Sequence, residues 1–401
     1  MAAVAAGDAS AISEELENEK RRDSSKGSGG GSAAAEVAAF AVSTQGLTAL
    51  VAGLRDLEAL PAPLSAFLFE EIPFARARAN RLLETLAATV EVLRAAGVEV
   101  VALKGAALAF FHYPDPALRP MGDLDLLLRD PGDLARATKV LEKAGWRALF
   151  DTPRHRVFAR PDERIARPAS EDPANPVRIE IHTSFRLPVL GRVYDASAAL
   201  RADAETRDLA GTPVAIAAGD ALLTHLLFHA AEDFAGNGIR GIQAHDFRLL
   251  AGAKRTDRRN GALTPEIPGI SEISSSERGR AACGAAPLLF AADAIERLFP
   301  LTFEEVFLSS LSSRVPSVLR ARAAALPPLR YTRPARGWSR TLFSIVDGPV
   351  PRVRLLLRTL FPTLGEVKAN AAPGASGLAL LAAWARILLR RMGSRSRQEK
   401  R

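Results

Sequence analysis

The stretch VALKGAALAFFHYPDPALRPMGDLDLLL, residues 101–128, restricts the folds open to this chain more than any other segment. The apolar run over residues 98–103 reads as a buried strand. Lys104 and Gly105 follow as a turn, and Gly105 opens AALAFFH, a short helix former. YPDPALRPMG then makes a Pro-rich loop into GDLDLLL, a second short strand closed by the turn at Arg129, Asp130 and Pro131.

Side chains alternate along a strand. Asp123 and Asp125 therefore share one face, while Leu124 and Leu126 enter a core. Two carboxylates side by side repel each other unless a cation lies between them. Mg²⁺ suits such a pair, because it takes hard oxygen ligands and shares its shell with substrate phosphates; Mn²⁺ is the alternative ion. A bare D-x-D is more often a solvated strand edge, so its context decides. A glycine between strand and helix lets a phosphate approach the backbone, and a helix N-terminus offers free N–H groups. Lys104 adds a point charge toward the same phosphates.

A third carboxylate is needed to complete such a site, and Glu180 in VRIEIHTSF is the candidate. Val177, Ile179 and Ile181 form an apolar face; Arg178, Glu180 and His182 form the other. This segment is expected to pair as a hairpin with residues 156–160. The polar connection RPDERIARPASEDPANP would lie at the mouth of the site. Three acids on neighbouring strands would support in-line displacement at phosphorus.

The combination of LKG, YPDPALRPMGDLDLLL and IEIH resembles a bacterial family described as uncharacterised nucleotidyltransferases, within the DNA polymerase β-type superfamily. The resemblance covers roughly residues 62–250. It implies an α+β fold: a small mixed sheet with flanking helices and a mainly helical C-terminal region. It also implies a magnesium-dependent site that moves an NMP group from an NTP to an acceptor. On this resemblance Asp123 and Asp125 match the metal-binding pair, Glu180 the third acid and Gly105 the glycine of the phosphate-side turn. The superfamily's usual turn is Gly-Ser, whereas Ala106 follows Gly105 here and supplies no hydroxyl. Arg119 in the inserted loop is expected to contact phosphate instead.

The chain divides by composition. Residues 1–36 form a low-complexity tail expected to be disordered. Residues 37–97 read as helices, with one begun by Pro61 and Pro63, a longer one after Pro73, and Gly97 as its end. The nucleotidyltransferase core spans 98–218 and a helical region 219–392, with a polar insertion at about 252–287. A basic tail, 393–401, closes the chain.

The net charge of +8 favours anionic ligands, but basic residues do not interleave with aromatics, so no nucleic-acid groove is expected. A single Cys283 rules out an internal disulfide and fits a reducing cytoplasm, and no secretory leader is expected. LALLAAWARILLRRM near the C-terminus is too short and too charged for a membrane span. Docking on the protein core is preferred over peripheral contact with an anionic membrane.

In ALLTHLLFHAAEDF, His225, His229 and Asp233 recur every four residues on one helix face, and His245 and Asp246 follow. The preferred reading is a helix packed on the core, its histidines bonded to neighbours. The resemblance implies an Asp near Asp246 that organises the helix pair or the acceptor pocket; His182 and His229 are further acceptor-side candidates. Three functions remain open: nucleotidyl transfer, nucleotide binding without catalysis, and a His/Asp metal phosphohydrolase built on His225, His229, His245 and Asp246.

Overall fold

The computed structural model describes residues 62–152, 154–161, 172–189, 192–236, 239–255, 285–298, 305–313 and 376–387, and single residues 303, 315, 317, 320, 321 and 367. The tails expected at 1–36 and 393–401 lie outside these residues, as does most of the insertion expected at 252–287.

Helix α1 (Ala62–Ala95) runs unbroken through Pro73. The expectation of two helices separated there is corrected. Pro73 forfeits one hydrogen bond to the preceding turn, but burial of Leu68, Ala75, Ala79, Leu82, Leu86, Val90 and Leu93 along one stripe holds both halves in line. Gly97, at φ +71°, ends the run by adopting the left-handed conformation, while the Val98 amide donates back to the Leu93 carbonyl.

Strands β1 (Val100–Ala102), β2 (Asp123–Leu128), β3 (Arg147–Asp151), β4 (His155–Ala159), β5 (Arg178–His182), β8 (Glu205–Leu209) and β9 (Thr212–Ile216) form a seven-stranded mixed sheet in the order β3-β4-β5-β2-β1-β9-β8. β2 and β5 run parallel, as do β1 and β9; the other neighbours are antiparallel. Strands β6 (Arg186–Val189) and β7 (Arg192–Asp195) make a separate hairpin. The expected pairing of residues 156–160 with Glu180's strand is present, with His155 opposite His182 and Val157 opposite Glu180.

The pleat divides the sheet's two faces. Val100, Ala102, Leu124, Leu126, Leu128, Phe158, Ile179, Ile181, Val214 and Ile216 enter one continuous core with α1, the alanines of α2 (Lys104–Phe111), and Ala137 and Leu141 of α3 (Leu134–Lys143). Asp123 and Asp125 of β2, His155 of β4, and Arg178, Glu180 and His182 of β5 are thereby left on the opposite face. Over that face lies α5 (Gly219–Gly236), whose His225 ring meets Phe185 edge-on at 4.2 Å. Between these parts, α4 (Ser197–Ala202) carries Arg201, which donates to the Leu128 and Thr183 carbonyls. Helices α6 (Gly241–Arg255), α7 (Ala285–Leu298) and α8 (Glu305–Ser313) follow. Helix α6 continues to Arg255, so residues 252–255, expected to begin a polar loop, are helical.

Arg78 of α1 ties the sheet's working edge. Its guanidinium donates to the carbonyls of Gly122 at 3.4 Å and Pro176 at 2.9 Å, just before β2 and β5, and to the Asn175 carbonyl. Near the C-terminus, residues 378–387 are helical. Ala383 is buried there, but Leu378 is 85% exposed and Leu381 63%, so those two leucines do not dock as expected. Among the described residues no helix is long and apolar enough to cross a membrane.

Candidate active site

The two acids of β2 and the acid of β5 meet because these strands are parallel and in register. Asp125 is paired directly with Glu180, and Asp123 with Arg178. Residues opposite each other on adjacent strands point the same way, so Asp123, Asp125 and Glu180 share the face away from the apolar core. Their side chains line two adjoining clefts. One holds Lys104, Gly105, Arg119, Asp123, Asp125 and Asp246; the other holds Lys104, His155, Glu180, His182 and Phe185. His229 lines both.

Lys104 sits where strand becomes helix. The left-handed residue is Lys104 itself, at φ +45°, and α2 begins at that residue rather than after Gly105. Non-glycine residues reach this region only when their surroundings hold them there. Here the Lys104 ammonium donates to Asp125 Oδ1 at 2.8 Å and lies 5.2 Å from the Phe185 ring centre. Burial would lower its pKa, but Asp125 and Asp123 outweigh that and hold it above the ordinary value.

Gly105 has a sharper role than backbone access. A Cβ there would come within 2.8 Å of Arg119 Nη1 and 3.2 Å of Met121. Arg119 cannot swing away cheaply: its Nη2 donates to Asp246 Oδ2 at 3.0 Å, Nε to Oδ1 at 3.4 Å, and Tyr113 O–H donates to the same Oδ1 at 2.7 Å. The Gly105→Ala variant is therefore expected to lose on the order of 1–3 kcal/mol by overpacking. Chemical denaturation would measure this, and an unchanged midpoint would refute the packing role.

Asp125 is fully enclosed. Burial would raise its carboxyl, but Lys104 and a 2.9 Å contact from His182 Nε2 hold it far below the ordinary range. Asp123 is half-buried and lacks such partners. Burial first, then repulsion from Asp125, pushes its carboxyl up to about 6. For Glu180, burial is outweighed by the adjacent His182 imidazole, which keeps it below its usual value. Burial pushes His155 down to about 4.

The donor chemistry fits Mg²⁺. Asp123 and Asp125 offer oxygen alone, and the raised Asp123 carboxyl marks repulsion that a divalent cation would relieve. Among the described residues, however, the group whose ligand atoms all lie within 4.8 Å of one another is His155, Glu180 and His182. His155 was missed in the sequence. The alternation of HRVFA across from IEIH is the signal that could have found it.

Each sequence-derived candidate now has a place. Arg119 lines the cleft beside the aspartates, but its guanidinium is engaged by Asp246. His182 borders Asp125; His229 and Gln243 share Asp233 at 3.3 and 2.7 Å. His225 is buried against Phe185, both ring nitrogens are without a hydrogen-bond partner, and burial keeps it neutral. His245 stacks near Tyr113 at 5.6 Å. His225, His229, His245 and Asp246 thus answer to separate neighbours and do not form a metal-ligand group of three among the described residues.

No curated protein matches the chain. The crystal structure of an antigenic nucleotidyltransferase-like protein from Paracoccidioides brasiliensis aligns over 60% of this chain and 97% of its own, with 15% identity and a TM-score of 0.34, too low to carry an argument. A family model described as uncharacterised nucleotidyltransferase matches residues 33–264, more than half of the 401 residues and all of the strands just described. By that match, and with three acids on one face of its sheet and Lys104 beside them at the start of α2, the chain belongs to the uncharacterised nucleotidyltransferase family.

Proposed function

We propose that this protein transfers an NMP group from an NTP to an acceptor hydroxyl or phosphate, releasing pyrophosphate, with Mg²⁺ as the favoured ion. The observation that carries this reading is the register of β2 and β5, which puts Asp123, Asp125 and Glu180 on one face beside Lys104. In the reaction an acceptor oxygen forms a bond to the α-phosphorus, the bond to the β-phosphate oxygen breaks, and the acceptor proton leaves to a base. Asp123 and Asp125 would hold the ion, and Glu180 completes the acid set. When bound, Mg²⁺ supplies charge neutralisation for the attacking and leaving oxygens.

The remaining work falls to the chain. Lys104 carries the positive charge at the start of α2, whose first amides are the free donors beside the acids. A phosphate entering there competes with Asp125 for the lysine. Arg119 presents its edge to the same cleft while Asp246 fixes its orientation. The loss of a hydroxyl at Ala106 is thereby offset by two cations.

The test is incubation of α-phosphate-labelled NTPs with Mg²⁺ and hydroxyl-bearing acceptors: sugars, RNA and the protein itself. Label transfer with pyrophosphate release is expected, falling by roughly 10²-fold or more in Asp125→Asn. Equal rates for that variant and the unaltered protein would overturn the assignment. A second reading, nucleotide binding without transfer, is favoured by the Lys104 ammonium already seated 2.8 Å from Asp125. NTP binding without pyrophosphate release would select it.

A further inference from the structure

The second cleft holds two imidazoles, His155 and His182, beside Glu180 of the acid set. His155 Nε2 and His182 Nε2 each lie 3.6 Å from Glu180 Oε2. That separation is too long for a hydrogen bond. It is close to what a metal imposes: a tetrahedral ion with ligands at roughly 2.0–2.1 Å sets its ligand atoms roughly 3.3–3.4 Å apart.

Thr152 braces the His155 ring from its far side. Its Oγ1 lies 3.1 Å from His155 Nδ1 and 3.2 Å from the His155 carbonyl, and is itself held by the Arg154 and His155 amides, which donate to it. Holding the far nitrogen of a ligating imidazole is how proteins orient such ligands. His182 Nε2 donates to Asp125 Oδ1 at 2.9 Å, and its Nδ1 is buried without a hydrogen-bond partner. An ion at Nε2 would displace that proton and take its place beside the Asp125 carboxylate.

We propose that His155, Glu180 and His182 form a second cation site, sharing Glu180 with the acid set, for a borderline divalent transition-metal ion of the zinc class. Two imidazoles and a carboxylate are softer than the all-oxygen pair Asp123 and Asp125, and imidazole suits Zn²⁺ where carboxylate alone suits Mg²⁺. The cluster lines a cleft with Lys104, Phe185 and His229, which gives an ion its entry. Glu180 is paired with Asp125 across β2 and β5, so the ion would sit beside the magnesium position, one strand away. The inference stands on this geometry and does not depend on nucleotidyl transfer.

The experiment is Zn²⁺ titration of the chelator-stripped full-length chain by calorimetry, with Mg²⁺ in parallel. One Zn²⁺ per chain is expected to bind, at least tenfold more tightly than Mg²⁺. His155→Ala should weaken Zn²⁺ binding tenfold or more. Thr152→Val should weaken it measurably while leaving all three ligands in place, which guards against a His155 variant that fails to fold. Asp123→Asn should leave Zn²⁺ affinity within about threefold. Unchanged Zn²⁺ affinity in both His155→Ala and Thr152→Val would overturn the site, as would an equal loss in Asp123→Asn. Label transfer from NTP with Mg²⁺ present, but no Zn²⁺ binding, would sink this inference alone. Zn²⁺ binding with no transfer would sink the proposed function alone.

Discussion

Replacing Asp123 by asparagine is expected to remove nucleotidyl transfer and yet raise the melting temperature of the metal-free protein. Burial, and then Asp125, push the Asp123 carboxyl up to about 6, above its ordinary value of 3.8. The fold therefore favours the protonated acid. Its contribution to stability is fully present below about pH 4 and is lost as pH rises through about 6. Asparagine imitates the neutral form at every pH. The two proteins should match in acid, and the variant should lead at pH 8 by on the order of 1–3 kcal/mol. Saturating Mg²⁺ should narrow the gap, because it binds the folded unaltered protein and offsets the repulsion. Thermal melts across pH, with and without Mg²⁺, check this; coincident curves at pH 8 in chelator would refute it.

The second large effect is expected at Arg119. Its side chain is 10% exposed and that of its partner Asp246 only 2%. Removing one member of a buried ion pair strands the other, so Arg119→Ala should cost about 3–5 kcal/mol. The double variant Arg119→Ala with Asp246→Ala should cost less than the sum of the two, since neither charge is then orphaned. Urea unfolding of the four proteins measures the coupling. A loss below about 1 kcal/mol for Arg119→Ala would place the pair in the class of surface contacts and contradict its burial.

The sequence carried the acids well and their surroundings poorly. Alternation in GDLDLLL and VRIEIH was enough to orient Asp123, Asp125, Glu180 and His182, because a strand with one buried face leaves its polar residues no other side. The pairing of β4 with β5 was legible for the same reason. Asp246 could be named but not partnered: Arg119 lies 127 positions away in the chain, and no local pattern reports that contact. Arg119 was assigned to phosphate from its loop, whereas the fold turns its guanidinium onto Asp246 and into the space left by Gly105. The β8 and β9 hairpin went unread because its two-residue turn uses Ala210 at φ +51° before Gly211 at φ +89°. Asparagine or aspartate is the usual signal at that first position. Pro73 misled in the opposite direction, since a long buried stripe outweighed one lost hydrogen bond.

The clamp formed by Arg78 and its neighbours has a consequence for how this protein can diverge. The connection from β4 to β5 leaves the sheet at Arg160, which donates to the Ala144 carbonyl at 2.9 Å and covers Trp146 at 4.6 Å. It returns at residues 173–176, where Arg81 and Arg78 grip the Pro173, Asn175 and Pro176 carbonyls. A segment anchored at both ends can grow, shrink or change composition while the ladder between β2 and β5 keeps its register. Lineages are thus free to remodel this connection and inherit the acids unchanged. A single residue inserted inside β5 has no such latitude, since it would turn Glu180 and His182 into the core.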